Sequence, residues 1–276
     1  MDISLTTEPC MMWIDSHCHL DAIEFAQQQA DLINKAGDVG VQFMVIPAVH
    51  RTNFLCVQEI AHAYLGCVYA LGIHPMYVKD STEEDLLYLR KTIEGALEDK
   101  KLVAIGEIGL DFFVEEISQG QAREKQIYFY QEQLKMAREF NLPVLLHVRR
   151  SVDMIQKYLR QISVVGGIAH AFNGSVQQAQ IFIDLGFKLG FGGAMTYPRA
   201  LQLRRLASTL PIESIVLETD APDIAPVWLT TKINVPAELP QIGHVLATLR
   251  NRPVKEIAKI TSKNVCAVLP RLSVIL

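Results

Sequence analysis

Eight short apolar runs, closed by Gly, Pro, Asn or Asp and separated by longer segments of helical spacing, limit what this chain can fold into. They are "MMWID" (11–15), "FMVIPAV" (43–49), "VYALGI" (68–73), "LVAIGEIG" (102–109), "PVLLHV" (143–148), "GGIAHAF" (166–172), "FKLGFGG" (187–193) and "SIVLETD" (214–220). Their apolar character is nearly continuous rather than alternating, as in parallel strands covered on both faces. The segments between them predict helices over 22–36, 53–65, 82–99, 121–140, 151–161, 175–185, 199–209, 236–249 and 253–268. Eight βα units in about 250 residues is the arithmetic of an α/β TIM (β/α)8 barrel, a single domain. A doubly wound open sheet competes, but it more often carries a Gly-rich phosphate turn after its first strand, and "HCHLDA" is not one.

No repeat, low-complexity tract or linker divides the chain. The barrel is expected over residues 12–276, with 1–11 a loosely packed extension or the start falling at Met11 or Met12. With 276 residues, half of them apolar, one large core is within reach. A net charge of −4 excludes the broad basic footprint of non-specific nucleic-acid binders, so any grip on phosphate must be local. Five cysteines (Cys10, Cys18, Cys56, Cys67, Cys266) with no C-x-x-C pair fit reduced thiols in the cytoplasm. With neither a signal peptide nor a membrane-spanning run in view, the expectation is a soluble, cytoplasmic monomer or small homo-oligomer.

In such a barrel the active site lies at the C-terminal ends of the strands, so the polar residues that close each run matter. The first run ends in Asp15 and leads into His17 and His19, which as i and i+2 on a strand would share a face, with Cys18 opposite and packed. The third ends at His74, the fourth carries Glu107, the fifth ends at His147, the sixth carries His170, and the eighth ends at Glu218 and Asp220. Singly, each has a bland reading: a hydrogen-bonded strand-end histidine or a helix-capping carboxylate. Together, four imidazoles (His17, His19, His147, His170) and two carboxylates (Glu107, Asp220) make a ligand set for two divalent cations. Glu107 is the candidate bridge, one cation taking His17, His19 and Asp220 and the other His147 and His170. Nitrogen-rich donors favour Zn, Mn, Fe or Ni over Mg, although availability can decide otherwise. Asp220 and Glu107 are the candidate catalytic residues, and Asp220 suits taking a proton from attacking water. Arg149 is placed equally well to meet a phosphate bidentately or to form a rim salt bridge.

The succession "IDSHCHLD", "GIHP", "AIGEIGLDF", "PVLLHVRR", "HAFNGS" and "LETDAP" resembles the TatD family of metal-dependent deoxyribonucleases, within the amidohydrolase-like TIM barrels, and its less characterised branch most of all. The likeness runs from Trp13 onward and includes "GGAMTYPRA" and the late "NVP". It implies the same six ligands, a pair of divalent cations, and a nuclease trimming DNA from the 3′ end. It also implies substrate-side positions for His74 and for Asn234 of "NVP". The chain departs from the family at Ala171, where Cys is common, at Asn173, where Ser or Thr is common, and at Asp223, where an aromatic residue is common. An extra carboxylate at Asp223 would repel a phosphate backbone. Two other readings stand beside this one: a hydrolase of a small phosphoester, amide or lactone, and a metal-binding protein without turnover, which retention of all six ligands disfavours.

The remaining features read as structure. His50, His62 and His244 fall outside the strand-end pattern, "IYFYQEQL" (127–134) packs as a helix face, and "EDKK" (98–101) is a solvated helix end. Gly106 and Gly109 allow close backbone approach beside Glu107.

Overall fold

The computed structural model describes residues 12–275, so the reading of residues 1–11 as an extension lies outside the described residues. Strands β1 (Trp13–Asp15), β2 (Val41–Pro47), β3 (Cys67–Leu71), β4 (Leu102–Asp111), β5 (Val144–Arg149), β6 (Gly167–Ala169), β7 (Phe187–Phe191) and β8 (Ile215–Leu217) are all parallel and run in chain order around one sheet. The circle comes back on itself where Ser16 N–H donates to the Leu217 carbonyl at 3.1 Å and Thr219 N–H donates to Asp15 Oδ1 at 3.0 Å. This is the expected TIM barrel.

The helices are α1 (Gln29–Asp38), α2 (Phe54–Ala63), α3 (Pro75–Val78), α4 (Glu83–Gly95), α5 (Gly120–Glu139), α6 (Val152–Gln161), α7 (Val176–Asp184), α8 (Leu201–Thr209), α9 (Leu239–Arg250) and α10 (Val254–Val268). None of the described helices is long and apolar enough to cross a membrane. Two departures from the sequence reading have local causes. The segment expected as one helix over 22–36 splits into a 3-10 turn at Ile23–Phe25 and α1, because the chain turns at Gln27, whose φ of 64° is left-handed. Helix α3 is an addition to the expected set. His74 starts it, its Nδ1 accepting from Met76 N–H at 3.1 Å, with Pro75 in the first turn.

The "EDKK" segment also differs from expectation. Helix α4 stops at Gly95, and Lys101 turns inward to donate to the carbonyls of Ala61, Tyr64 and Cys67. Asp99 Oδ2 accepts from Tyr69 Oη at 2.7 Å and meets His62 Nε2 at 2.9 Å. The helix face at 127–134 packs as read, with Phe129 and Tyr130 buried.

The barrel interior is apolar through most of its depth. Ile14, Val45, Val68, Val103, Leu145, Ile168 and Val216 point inward, and Val265, Val268, Leu269 and Leu272 close the end where the strands begin. Arg271 holds that closure by donating to the carbonyls of Asp99 and Leu102.

Candidate metal centre

Glu107 and His147 lie within β4 and β5, whereas the rest of the site is built from residues just beyond the strands. β1 stops at Asp15, so His17 and His19 lie past the strand, although Cys18 between them is fully buried in the core as expected. β8 stops at Leu217, so Glu218 and Asp220 also lie past their strand. Asp220 has a φ of 56° and Ala171, after His170, a φ of 44°. Left-handed backbone at non-glycine residues costs about 1–3 kcal/mol, and here it turns the chain beside the cluster.

Glu107 stands at the centre. Its Oε2 lies 3.1 Å from His17 Nε2 and 3.5 Å from His19 Nε2. Its Oε1 lies 2.9 Å from His170 Nε2, 3.1 Å from His147 Nδ1 and 3.3 Å from His74 Nε2. One carboxylate therefore divides the histidines between its two oxygens. Asp220 Oδ1 completes the group at 3.6 Å from His17, 3.7 Å from His19 and 3.9 Å from His170. All six expected ligands converge, and Asp220 reaches both histidine sets rather than one.

The residues fit cations. Three overlapping donor groups, His17–His19–Glu107, His17–His170–Asp220 and His74–Glu107–His147, each bring their ligand atoms within 4.8 Å of one another. His17 Nε2 and His19 Nε2 are 3.3 Å apart, and His147 Nδ1 and His170 Nε2 are 3.4 Å apart. Imidazole nitrogens held so close need a proton or a metal ion between them. The charge balance points the same way. Burial pushes Asp220 up, only partly offset by His170 and His19. Burial alone would raise Glu107 too, but the charges of His170, His74 and His17 and the His147 hydrogen bond hold it well below the carboxylate range. Burial, with help from neighbouring imidazoles, takes His17 down to about 3, and burial takes His74 down to about 4. His19 and His170 instead rise to about 9 and about 10, because Glu107 and Asp220 outweigh their burial. The buried carboxylates demand positive charge, and the imidazoles compete to supply it.

Three further carboxylates brace the cluster, and the sequence reading assigned them no role. Asp111 Oδ2 meets His147 Nε2 at 3.1 Å, which leaves Nδ1 free to face Glu107 and orients the ring. Asp111 comes four residues after Glu107 on β4, the even spacing that puts both on one face. Glu218 Oε1 accepts the N–H of Ala171, fixing the left-handed turn after His170, and burial raises this carboxyl to about 8. A Cβ at Gly190 would overlap the Glu218 carboxylate, so only glycine leaves it room. Asp15 accepts from Thr219 N–H, Thr219 Oγ1 and His17 N–H, and burial raises it to about 7. Gly109, with φ of 149°, sits where a side chain would strike the His147 carbonyl. The close approach read for this glycine is therefore real.

Of the substrate-side expectations, His74 joins the donor cluster through Glu107. Arg149 lies half-exposed at the rim, 3.8 Å from Asp111 Oδ2 and stacked at 3.9 Å on the Phe113 ring. Asn234 is placed differently. It is fully buried and donates to the carbonyls of Thr219 (2.7 Å) and Ile224 (3.4 Å), so its amide shapes the 219–224 loop instead of meeting a ligand. His50 caps the turn at Arg51–Asn53, His62 pairs with Asp99, and His244 is exposed on α9. A cavity of about 970 Å³ opens above His147, His170 and Asp220, walled by residues after β5, β6 and β7.

This architecture has relatives. A model of the TatD related DNase family matches residues 14–270. The chain belongs to this family. An uncharacterised metal-dependent hydrolase of Haemophilus influenzae is 34% identical over 262 residues, covering 94% of this chain and 99% of the relative. The uncharacterised metal-dependent hydrolase YjjV of Escherichia coli is 37% identical over 253 residues, 91% and 95% of the two chains. The crystal structure of YjjV matches with a TM-score of 0.88 at 36% identity, covering 95% of this chain and 98% of that one. A TatD family hydrolase from Entamoeba histolytica, at 19% identity, shares the fold with a TM-score of 0.83, covering 94% of this chain and 98% of that one.

Proposed function

We propose that this chain hydrolyses phosphodiester bonds at DNA ends, trimming from the 3′ end, with two divalent cations held across Glu107. Family membership and the buried donor cluster make it a metal-dependent hydrolase. The observation that carries the two-cation reading is the division of Glu107, with Oε2 facing His17 and His19 and Oε1 facing His147, His170 and His74. Bound there, divalent cations supply Lewis-acid polarisation of a phosphoryl oxygen and acidify water.

The chain's own residues do the rest. Asp220, on the cavity side of the cluster, takes the proton of the attacking water. Asp111 holds His147 in one tautomer, and Asp15 fixes the backbone of His17 and of Thr219 beside Asp220. Arg149 and Arg150 at the rim face an anionic chain.

Asp223 favours a second reading, a small uncharged ester, amide or lactone, because it adds a carboxylate to the cavity wall. Magnitude decides between them. Asp223 is exposed, and in water a unit charge at 4 Å is worth only about 1 kcal/mol, further screened by salt. End-labelled single-stranded and duplex DNA, incubated with Mg, Mn or Zn, should shorten from the 3′ end. EDTA and Asp220→Asn should each stop it. Intact DNA alongside turnover of a small ester or amide would overturn the DNA reading.

A further inference from the structure

Arg149 closes the fifth strand and Arg150 follows it, and both guanidinium groups rest on one aromatic ring. Arg149 Cζ lies 3.9 Å from the Phe113 ring centre and Arg150 Cζ 4.6 Å from it. Consecutive residues of an extended chain point to opposite sides. Here Arg150 has a left-handed φ of 54°, which breaks the alternation and brings both side chains to the same ring. Phe113 is 46% exposed, yet its backbone is fixed: Asp111 Oδ1 accepts from Phe113 N–H at 2.8 Å and from Val114 N–H at 3.1 Å. The other oxygen of that carboxylate holds His147. Gln126 in turn pins Asp111 N–H and the Asp111 carbonyl. The ring and the cluster thus hang on one rigid support.

We infer that Arg149, Phe113 and Arg150 form a clamp for a phosphate other than the one being cleaved, so that this hydrolase recognises a polynucleotide strand rather than a mononucleotide ester. The inference rests on the phosphodiesterase reading and deepens it. The three residues line the same cavity as His147, His170 and Asp220, so a strand reacting at the cluster passes over them. Stacking covers the guanidinium faces and leaves their N–H edges for phosphate oxygens. Arg150 makes no ion pair among the described residues, and Arg149 only the long contact of 3.8 Å to Asp111. Arg150 also lines an adjoining cleft with Arg123, itself stacked at 4.0 Å on Phe112, and with Asp153, which accepts from Gln178 Nε2, so two guanidinium groups face one carboxylate there. In a chain of net charge −4, the clamp is the local grip on phosphate that composition alone could not supply.

The test uses the full metal-loaded chain and a fluorescein-labelled, phosphorothioate-linked oligothymidylate that resists hydrolysis, with binding monitored by anisotropy across a salt series. For single strands the slope of log affinity against log salt is about −0.7 per phosphate neutralised, so the double variant Arg149→Gln/Arg150→Gln should flatten it by about 1.4. Arg160→Gln, an exposed arginine on α6 away from the rim, should leave the slope unchanged. Phe113→Leu should keep most of the slope, because the charges remain, and raise KM for oligonucleotides without changing kcat. Turnover of a small aryl phosphodiester should stay within about twofold for Arg160→Gln, and the rim variants should lose more on oligonucleotides than on this short substrate, as expected for lost uniform binding. A double variant with the wild-type slope and oligonucleotide KM overturns the clamp, as does absence of oligonucleotide binding by the wild type. A wild type that binds with the expected slope but cleaves no DNA overturns the phosphodiesterase reading and leaves the clamp standing.

Discussion

The eight strands begin and end in opposite chemistry. Where they begin, Val265, Val268, Leu269 and Leu272 close the interior on Ile14, Val45, Val68 and their neighbours, and Arg271 ties the closure to the start of β4. Where they end, Asp15, Glu107, Asp111, Glu218 and Asp220 are buried with His17, His74 and His170. The first end gains stability from removing apolar area from water. The second buries carboxylates, which costs free energy unless positive charge arrives. Stability and function are therefore built at separate ends of one sheet, and substitutions can move one without the other.

Glu107→Gln should break the functional end most completely. Removing residues that merely orient a ligand costs about 10–100-fold in metal affinity, and loss of the shared carboxylate should exceed that and take hydrolysis to background. Metal content by mass spectrometry and turnover read the effect.

Leu269→Ala at the opposite end should do the reverse. The side chain is fully buried, and such truncations cost about 2–5 kcal/mol, which urea unfolding would measure while metal content and turnover below the transition stay at wild-type levels.

Asn234→Ala probes a residue that is structural yet sits where the strands end. It leaves the carbonyls of Thr219 and Ile224 without their donor, which should cost about 1–3 kcal/mol. With Asp220 next to Thr219, turnover should fall through kcat, whereas a substrate contact would raise KM alone.

The smallest effect concerns pH. Metal retention should decline as pH falls, because imidazole must be neutral to bind a cation and His19 and His170, raised to about 9 and about 10, are the first to hold protons against it. The beginning of the strands titrates lower. Burial opposes the charge on Asp99, but hydrogen bonds from Lys101 N–H, Tyr69 and His62 outweigh it and hold the carboxyl below its usual value. A depressed carboxyl contributes stability above its unfolded pKa of about 3.9, and the contribution disappears as pH falls through the folded value. Metal-free Asp99→Asn should thus lose stability slightly at pH 7 and show a shallower acid limb in thermal melts.

Much of this was legible in the sequence for a physical reason. Parallel strands buried on both faces write themselves as continuous apolar runs, and residues closing those runs must meet at one mouth. That places His17, His19, Glu107, His147, His170 and Asp220 together without any coordinates. Strand ends were less legible, since "LETD" continues an apolar run while the sheet stops at Leu217. Asn234 shows another limit: a motif marks a position as constrained but not whether its amide meets a ligand or a backbone carbonyl. The braces Asp15 and Glu218 close apolar runs and Asp111 stands two residues past one, but only distances show which imidazole or amide each one holds. The inward turn of Lys101 depends on three carbonyls brought together by tertiary structure, which no local charge pattern encodes.

In the function we propose, Glu107 would divide its oxygens between two cations. Anomalous diffraction from crystals grown with Mn or Zn tests it directly. We expect two peaks, one on the His17–His19 side of Glu107 and one on the His147–His170 side, both contacting its carboxylate. A single peak away from Glu107, or none at saturating metal, would rule out a shared carboxylate.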